Sequence, residues 1–181
     1  MIRTALALTV ALLSTAAVSA ADLLIPTTPE PIYEAGGFGW EGLYAGVRGG
    51  GQWFTAATYG VVGGVVGFNY LATDSILLGA EVTGDYTWTD VANSGGGEFF
   101  LNARGGVVVT DAALIYALGG MGFFTRDNNY IGLYQLGGGV EFAVTDAVTL
   151  RGELVGQGSF TTNIGRFFDS AKATVGVSYN F

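Results

Sequence analysis

Cysteine and histidine are both absent from this chain, and their absence removes more chemistry than any motif supplies. Without cysteine there is no disulfide and no thiol nucleophile. Without histidine, zinc sites of the usual ligand types, His-based acid–base catalysis and the Ser-His arrangement all fall away. No catalytic residue, cofactor or metal ligand is therefore expected, and the chain reads as a non-enzyme. Charge is scarce as well, at 12 % of residues, against ~25 % in soluble domains. Seven Lys+Arg stand against 15 Asp+Glu, a balance that argues against electrostatic binding to nucleic acid. Proline is confined to Pro26, Pro29 and Pro31.

The first 20 residues read as a cleaved secretory signal. Arg3 starts it, ALALTVALLSTAAV (5–18) is its apolar stretch, and small residues precede a cut placed after Ala20. That stretch of 14 residues is interrupted by Thr9, Ser14 and Thr15, and falls short of the ~20 a membrane-spanning helix needs. Residues 21–39, which hold all three prolines and a Gly-rich end, read as an extended periplasmic leader. One domain follows, 40–181.

What the chain has in abundance is glycine, 31 of 181 residues. Glycine inside the repeating segments disfavours helix by about 1 kcal/mol per position relative to alanine. The repeat itself is a short phrase: ATDS at 72–75, VTDA at 109–112 and VTDA at 144–147, with Asp74, Asp111 and Asp146 spaced by 37 and 35 residues. Helical solenoids of similar period are excluded by the glycine, which leaves a sheet whose unit is two strands and a tight Thr-Asp turn.

Period-2 alternation locates the strands. In 170–181, Ala171, Ala173, Val175, Val177, Tyr179 and Phe181 oppose Lys172, Thr174, Gly176, Ser178 and Asn180. The same pattern runs through 40–53, 76–88, 99–109, 134–144 and 148–158; 59–71 and 113–124 are apolar on both parities and are inferred from position and length. The sum is an all-β, eight-stranded antiparallel up-and-down barrel. Asp74, Asp111 and Asp146 mark tight periplasmic turns at one end, and longer loops near 54–58, 89–98, 125–130 and 159–169 stand at the other.

Alternation does not say which parity faces outward, and a soluble lipocalin-like cup has the same topology. Composition favours a membrane barrel, because the polar face of each strand carries only one or two charges amid Gly, Ser and Thr, too few for a soluble exterior. The polar parity then lines a narrow lumen and places Arg48, Arg104, Arg151 and Lys172 inside with Glu81, Asp85, Glu141 and Glu153. Burial of each alone would be costly, so they are expected to interlock as a structural filling, with a proton or ion path as the alternative. Two aromatic belts are expected: Trp53, Tyr59, Trp88, Phe99, Phe123, Phe124, Tyr134 and Phe160 toward the loops, and Trp40, Phe68, Tyr70, Phe142, Tyr179 and Phe181 toward the turns. GFGWEG at 37–42 matches a dinucleotide fingerprint only in its letters, since a Pro-rich leader precedes it and a strand follows.

The segments WEGLYAGVRGG, LLGAEVTGDYTW, YQLGGGVEFAVTDAVTLRGEL and VGVSYNF, with the leader ADLLIP, resemble the small outer-membrane β-barrel proteins of alphaproteobacteria, related in architecture to the OmpA transmembrane domain and to opacity-type surface proteins of the porin family. The resemblance covers the chain beyond the signal. It implies an outer-membrane location, contact with lipid and lipopolysaccharide, a structural or surface-interaction role, and a monomer. It also implies delivery by periplasmic chaperones and insertion by the barrel assembly machinery, with Tyr179 and Phe181 as the signal that machinery reads. A small low-conductance channel and a soluble lipocalin-like binder remain as alternatives.

Overall fold

The computed structural model describes residues 37–89, 94–127, 129–160 and 167–181. The expected signal and the leader up to residue 36 lie outside the described residues, as do parts of three of the expected loops. Eight strands follow in chain order: β1 Gly42–Phe54, β2 Thr58–Leu71, β3 Ile76–Thr89, β4 Ser94–Thr110, β5 Ala113–Arg126, β6 Asn129–Ala143, β7 Val148–Ser159 and β8 Ser170–Asn180. Each pairs antiparallel with the next, and β1 pairs with β8 to close the barrel.

Closure leaves no open sheet edge, and alternation then sorts the side chains by face. On β3, Leu77, Glu81, Thr83, Asp85 and Thr87 are buried while Leu78, Val82, Tyr86 and Trp88 are exposed. β2 and β5, whose parity the sequence leaves open, resolve the same way. Val61 and Val65 on β2, with Leu114, Tyr116 and Leu118 on β5, point inward; Val62, Val66, Ile115 and Met121 point outward. These two strands look apolar on both faces because they supply the apolar part of the lumen.

Two strands are longer than the sequence pattern suggests. β4 begins at Ser94 and β6 at Asn129, so much of the expected 89–98 and 125–130 loops is wall. The Gly95–Gly97 run reads as a loop signal, yet it pairs in register with Tyr86–Trp88. Glycine suits the position because aromatic side chains lie across it: a Cβ on Gly95 would fall 2.5 Å from the Tyr86 hydroxyl, and one on Gly96 2.3 Å from Phe124.

β1 starts later than expected, at Gly42, whose φ of 120° suits glycine alone. The chain before it leaves the wall, and Trp40, expected in the outer belt, is instead 3 % exposed in a cluster with Leu77, Leu114, Tyr116, Leu118 and Val155. Phe38 joins this cluster, its ring 4.7 Å from that of Trp40 and its N–H donating to the Asp111 carbonyl (3.1 Å).

The turns occupy 72–75, 111–112 and 144–147. Their repeated phrase works through threonine. Thr73 Oγ1 accepts from the N–H groups of Ser75 (3.4 Å) and Ile76 (3.0 Å), Thr145 Oγ1 from those of Ala147 (3.3 Å) and Val148 (3.0 Å), and Thr110 Oγ1 from Ala112 (3.3 Å). Each threonine thus folds its own turn, and Asp74, Asp111 and Asp146 stand exposed beside it.

Candidate functional site

The lumen is where this chain concentrates its chemistry. All eight charged residues named from the polar parity are buried in it: Arg48, Glu81, Asp85, Arg104, Glu141, Arg151, Glu153 and Lys172. A ninth, Glu98, joins them; the sequence reading leaves it at the edge of a loop, and the extension of β4 brings it into the wall.

Nearest the turns, two arginines and two glutamates form a quartet. Arg104 reaches Glu141 (2.9 Å) and Glu81 (3.7 Å), and Arg151 reaches the same two carboxylates (3.5 and 3.2 Å). Tyr44 donates to Glu81 (2.7 Å) and accepts from Arg104 (3.1 Å), while Thr149 donates to Glu141 (2.6 Å). The Arg104 guanidinium lies 4.1 Å from the centre of the Tyr116 ring, a cation–π contact between two buried side chains. Two positive and two negative charges balance here.

One tier toward the loops, Arg48 grips Asp85 with two hydrogen bonds (2.9 and 2.7 Å) and reaches Glu153 (3.0 Å). Lys172 bonds Asp85 (2.9 Å) and Glu98. Tyr116 donates to Glu153 (2.9 Å) and so ties the two tiers together. Two cations meet three carboxylates in this tier. Beside and above it run amides: Gln52 donates to Gln157 (2.6 Å), Gln157 to Gln135 (3.2 Å) and Glu98 (3.3 Å), and Gln135 to Asn102 (2.7 Å), which donates to Glu81 of the quartet (3.5 Å).

Glycine makes room for the large groups. A Cβ on Gly67 would come within 2.3 Å of the Tyr44 hydroxyl, and one on Gly139 within 2.7 Å of the Tyr116 hydroxyl and 2.5 Å of a backbone carbonyl. Each tyrosine lies over the directly paired position of the next strand, which has no side chain.

Four of these contacts share one spacing. Tyr44–Glu81, Arg48–Asp85, Arg104–Glu141 and Tyr116–Glu153 are each 37 residues apart, and so are Thr73 and Thr110. A step of one hairpin repeat moves two strands around the barrel and returns to the same face, so the period of the turns is also the period of the lumen contacts. That is the signal in the sequence from which the partners could be read.

Above the amides, the loop end opens into a cavity of about 390 Å³. Glu98, Gln157 and Ser170 contribute to its floor, Tyr59, Phe124 and Leu133 to its walls, and Arg126 and Asp169 to its rim. Tyr59 and Phe124, expected in the loop-side belt, therefore face inward. The rest of that belt is on the outside: Trp53, Trp88, Phe99, Phe123 and Phe160 are exposed and Tyr134 partly so, and at the other end Phe68, Tyr70, Phe142, Tyr179 and Phe181 are exposed. The Tyr179 and Phe181 rings stand 5.1 Å apart, and the Phe181 N–H donates to the Leu43 carbonyl (3.0 Å).

No protein-family model matches the chain, and no curated protein matches it in sequence. Solved structures do match in fold. The N-terminal β-barrel domain of Pseudomonas aeruginosa OprF aligns with 76 % of this chain and 97 % of its own, at 19 % identity and a TM-score of 0.52. Ail, the attachment invasion locus protein of Yersinia pestis, aligns with 77 % of this chain and 96 % of its own, at 12 % identity and a TM-score of 0.54. Neisserial surface protein A gives the same coverage at 11 % identity and a TM-score of 0.51. At these identities the likeness is one of fold: a closed eight-stranded barrel of the kind found in outer-membrane proteins.

Proposed function

We propose that this chain is an integral outer-membrane β-barrel protein with a structural or surface-interaction role and a lumen plugged by paired charges. One observation carries the reading: the barrel is apolar outside and charged inside. Leu43, Val47, Val66, Leu101, Leu154 and Val175 are more than half exposed, while Glu81, Arg104, Glu141 and Lys172 are at most 3 % exposed. A water-soluble barrel reverses this arrangement, whereas lipid requires it. The strands, 11–17 residues long, meet or exceed the ~9–11 needed to cross a bilayer at a tilt. The exposed aromatics toward both ends suit the two membrane interfaces.

The role is non-enzymatic, since the carboxylates of the quartet, with Asp85 and Glu153, are held by arginine, lysine, tyrosine and threonine. The location brings lipid, lipopolysaccharide, periplasmic chaperones and the assembly machinery as partners, with Tyr179 and Phe181 as the feature that machinery reads; the barrel works as a monomer. Kinship with the small alphaproteobacterial porin-family barrels belongs to the same proposal. Expression in a Gram-negative cell followed by fractionation and surface proteolysis tests it. The protein should sit in the outer-membrane fraction and be cut from outside only at the loop end. Recovery as a soluble periplasmic protein would overturn the reading. A small low-conductance channel is the second reading, favoured by the cavity that reaches down to the amide layer; stable, large steps in planar bilayers would contradict the plug.

A further inference from the structure

The upper charge tier and the cavity above it share a residue, Glu98. Both of its hydrogen bonds, from Lys172 and Gln157, fall on Oε2, and Oε1 takes none among the described residues. Arg48 and Lys172 are already engaged by Asp85 and Glu153 as well, so this tier holds one carboxylate more than it has cations. The surplus lies at the cavity floor. Among the described residues the cation at the rim is Arg126, which is exposed and pairs with Asp127 (3.3 Å), while Asp169 adds a further negative charge. The walls beside the floor are the rings of Tyr59 and Phe124 and the side chain of Leu133. A volume of about 390 Å³ lies within the range of small-molecule sites, which are concave, mostly apolar and oriented by a few polar groups.

We infer that the loop-end cavity binds a small organic monocation, an ammonium group carried on an aromatic or aliphatic body. The ammonium donates to Glu98 Oε1 and brings the upper tier to neutrality, and the body packs against Tyr59, Phe124 and Leu133. A free carboxylate oxygen in a partly desolvated floor selects a cation over a neutral or anionic analogue of the same shape, because a hydrogen bond to a charged group is stronger than a neutral one and an anion would meet an unpaired like charge. Aromatic walls add to the preference through their negative ring faces.

The test uses the purified full chain in phosphatidylcholine nanodiscs, with empty nanodiscs as reference, and three probes of similar shape: phenethylammonium, phenethyl alcohol and 3-phenylpropionate. Affinity is read by ligand-observed NMR titration. The ammonium should bind at least tenfold more tightly than the alcohol, and the carboxylate should not bind. Glu98→Gln should bring the ammonium to the level of the alcohol and leave the alcohol unchanged. Equal affinity for the three probes, no binding of the ammonium to the wild-type protein, or a cation preference retained in Glu98→Gln would each overturn the inference. The wild-type series decides the matter even if the variant does not fold. Binding is measured on the folded barrel wherever it resides in the cell, so the inference and the outer-membrane reading can fail separately.

Discussion

Toward the turns, Arg104, Arg151, Glu81 and Glu141 close on one another with two tyrosines packed among them; toward the loops, Arg48 and Lys172 face Asp85, Glu98 and Glu153, and one carboxylate oxygen of Glu98 takes no hydrogen bond among the described residues. Both tiers use the same residue types on the same kind of wall. They differ in balance and in what lies beyond them. Below the quartet the apolar cluster around Trp40 and Leu114 fills the lumen, whereas above the upper tier there are amides and then the cavity. A charge-balanced group can be walled in by apolar side chains, but a group with a surplus charge needs contact with solvent or a ligand. The comparison teaches that one barrel can be sealed at one end and receptive at the other by a difference of a single carboxylate.

The sharpest way to break this comparison is at Arg104. Arg104→Met leaves Glu141 and Glu81 short of a partner inside the sealed half, and should destabilise the barrel by about 3–5 kcal/mol. Urea unfolding in detergent measures it. Arg104→Met combined with Glu141→Leu should cost less than the single change, and a double-mutant cycle without coupling would show that the quartet is not a unit. The corresponding change in the receptive half is milder, as set out below for Glu98.

Glycine substitutions test whether the tyrosines are wedged in the sealed half. Gly67→Ala and Gly139→Ala place a Cβ against the Tyr44 and Tyr116 hydroxyls, and overpacking of this kind costs about 1–3 kcal/mol. Gly105→Ala is the control, since its Cβ would meet only Leu78 at 3.8 Å, an ordinary contact. Thermal unfolding followed by gel mobility should leave Gly105→Ala at the wild-type midpoint and lower the other two.

At the turn end, Thr73→Ala and Thr145→Ala each remove an acceptor from two backbone N–H groups, and should cost about 0.5–1.5 kcal/mol. Asp74→Ala and Asp146→Ala, at exposed neighbours, should stay within about 0.5 kcal/mol of wild type. The same unfolding measurement would sink the assignment if the aspartates mattered more than the threonines. At the loop end, Glu98→Gln should change stability by less than about 1 kcal/mol, because glutamine still accepts from Lys172 and the surplus charge is gone. A loss as large as that at Arg104 would mean that the two tiers are equivalent after all.

Much of this architecture was legible in one dimension. Strict alternation in 170–181 shows a strand without help from its neighbours, and Arg48, Glu81, Asp85 and Arg104 declare their face by parity alone, since successive side chains of a strand point to opposite sides. Where two strands were apolar on both parities, as at Val61–Val62 and Leu114–Ile115, the pattern was silent because the lumen itself has an apolar part. Gly95–Gly97 misled for a different reason: glycine marks loops in general, and its use here depends on aromatic side chains, Tyr86 on a neighbouring strand among them, lying across it.

The sequence by itself determined the up-and-down order, the position of the turns and which side chains share a face on the six alternating strands, because all of these rest on local periodicity and on the limited ways a repeated hairpin can close. Only the tertiary structure decided how the charges divide into two tiers, that Glu98 belongs among them, that Trp40 turns inward and that threonine folds the turns its neighbouring aspartate marks. Those facts depend on the stagger between strands that are not adjacent, and on where the chain leaves the wall at Gly42. Stagger is a property of the closed barrel, set once all eight strands are paired, and no single strand carries it.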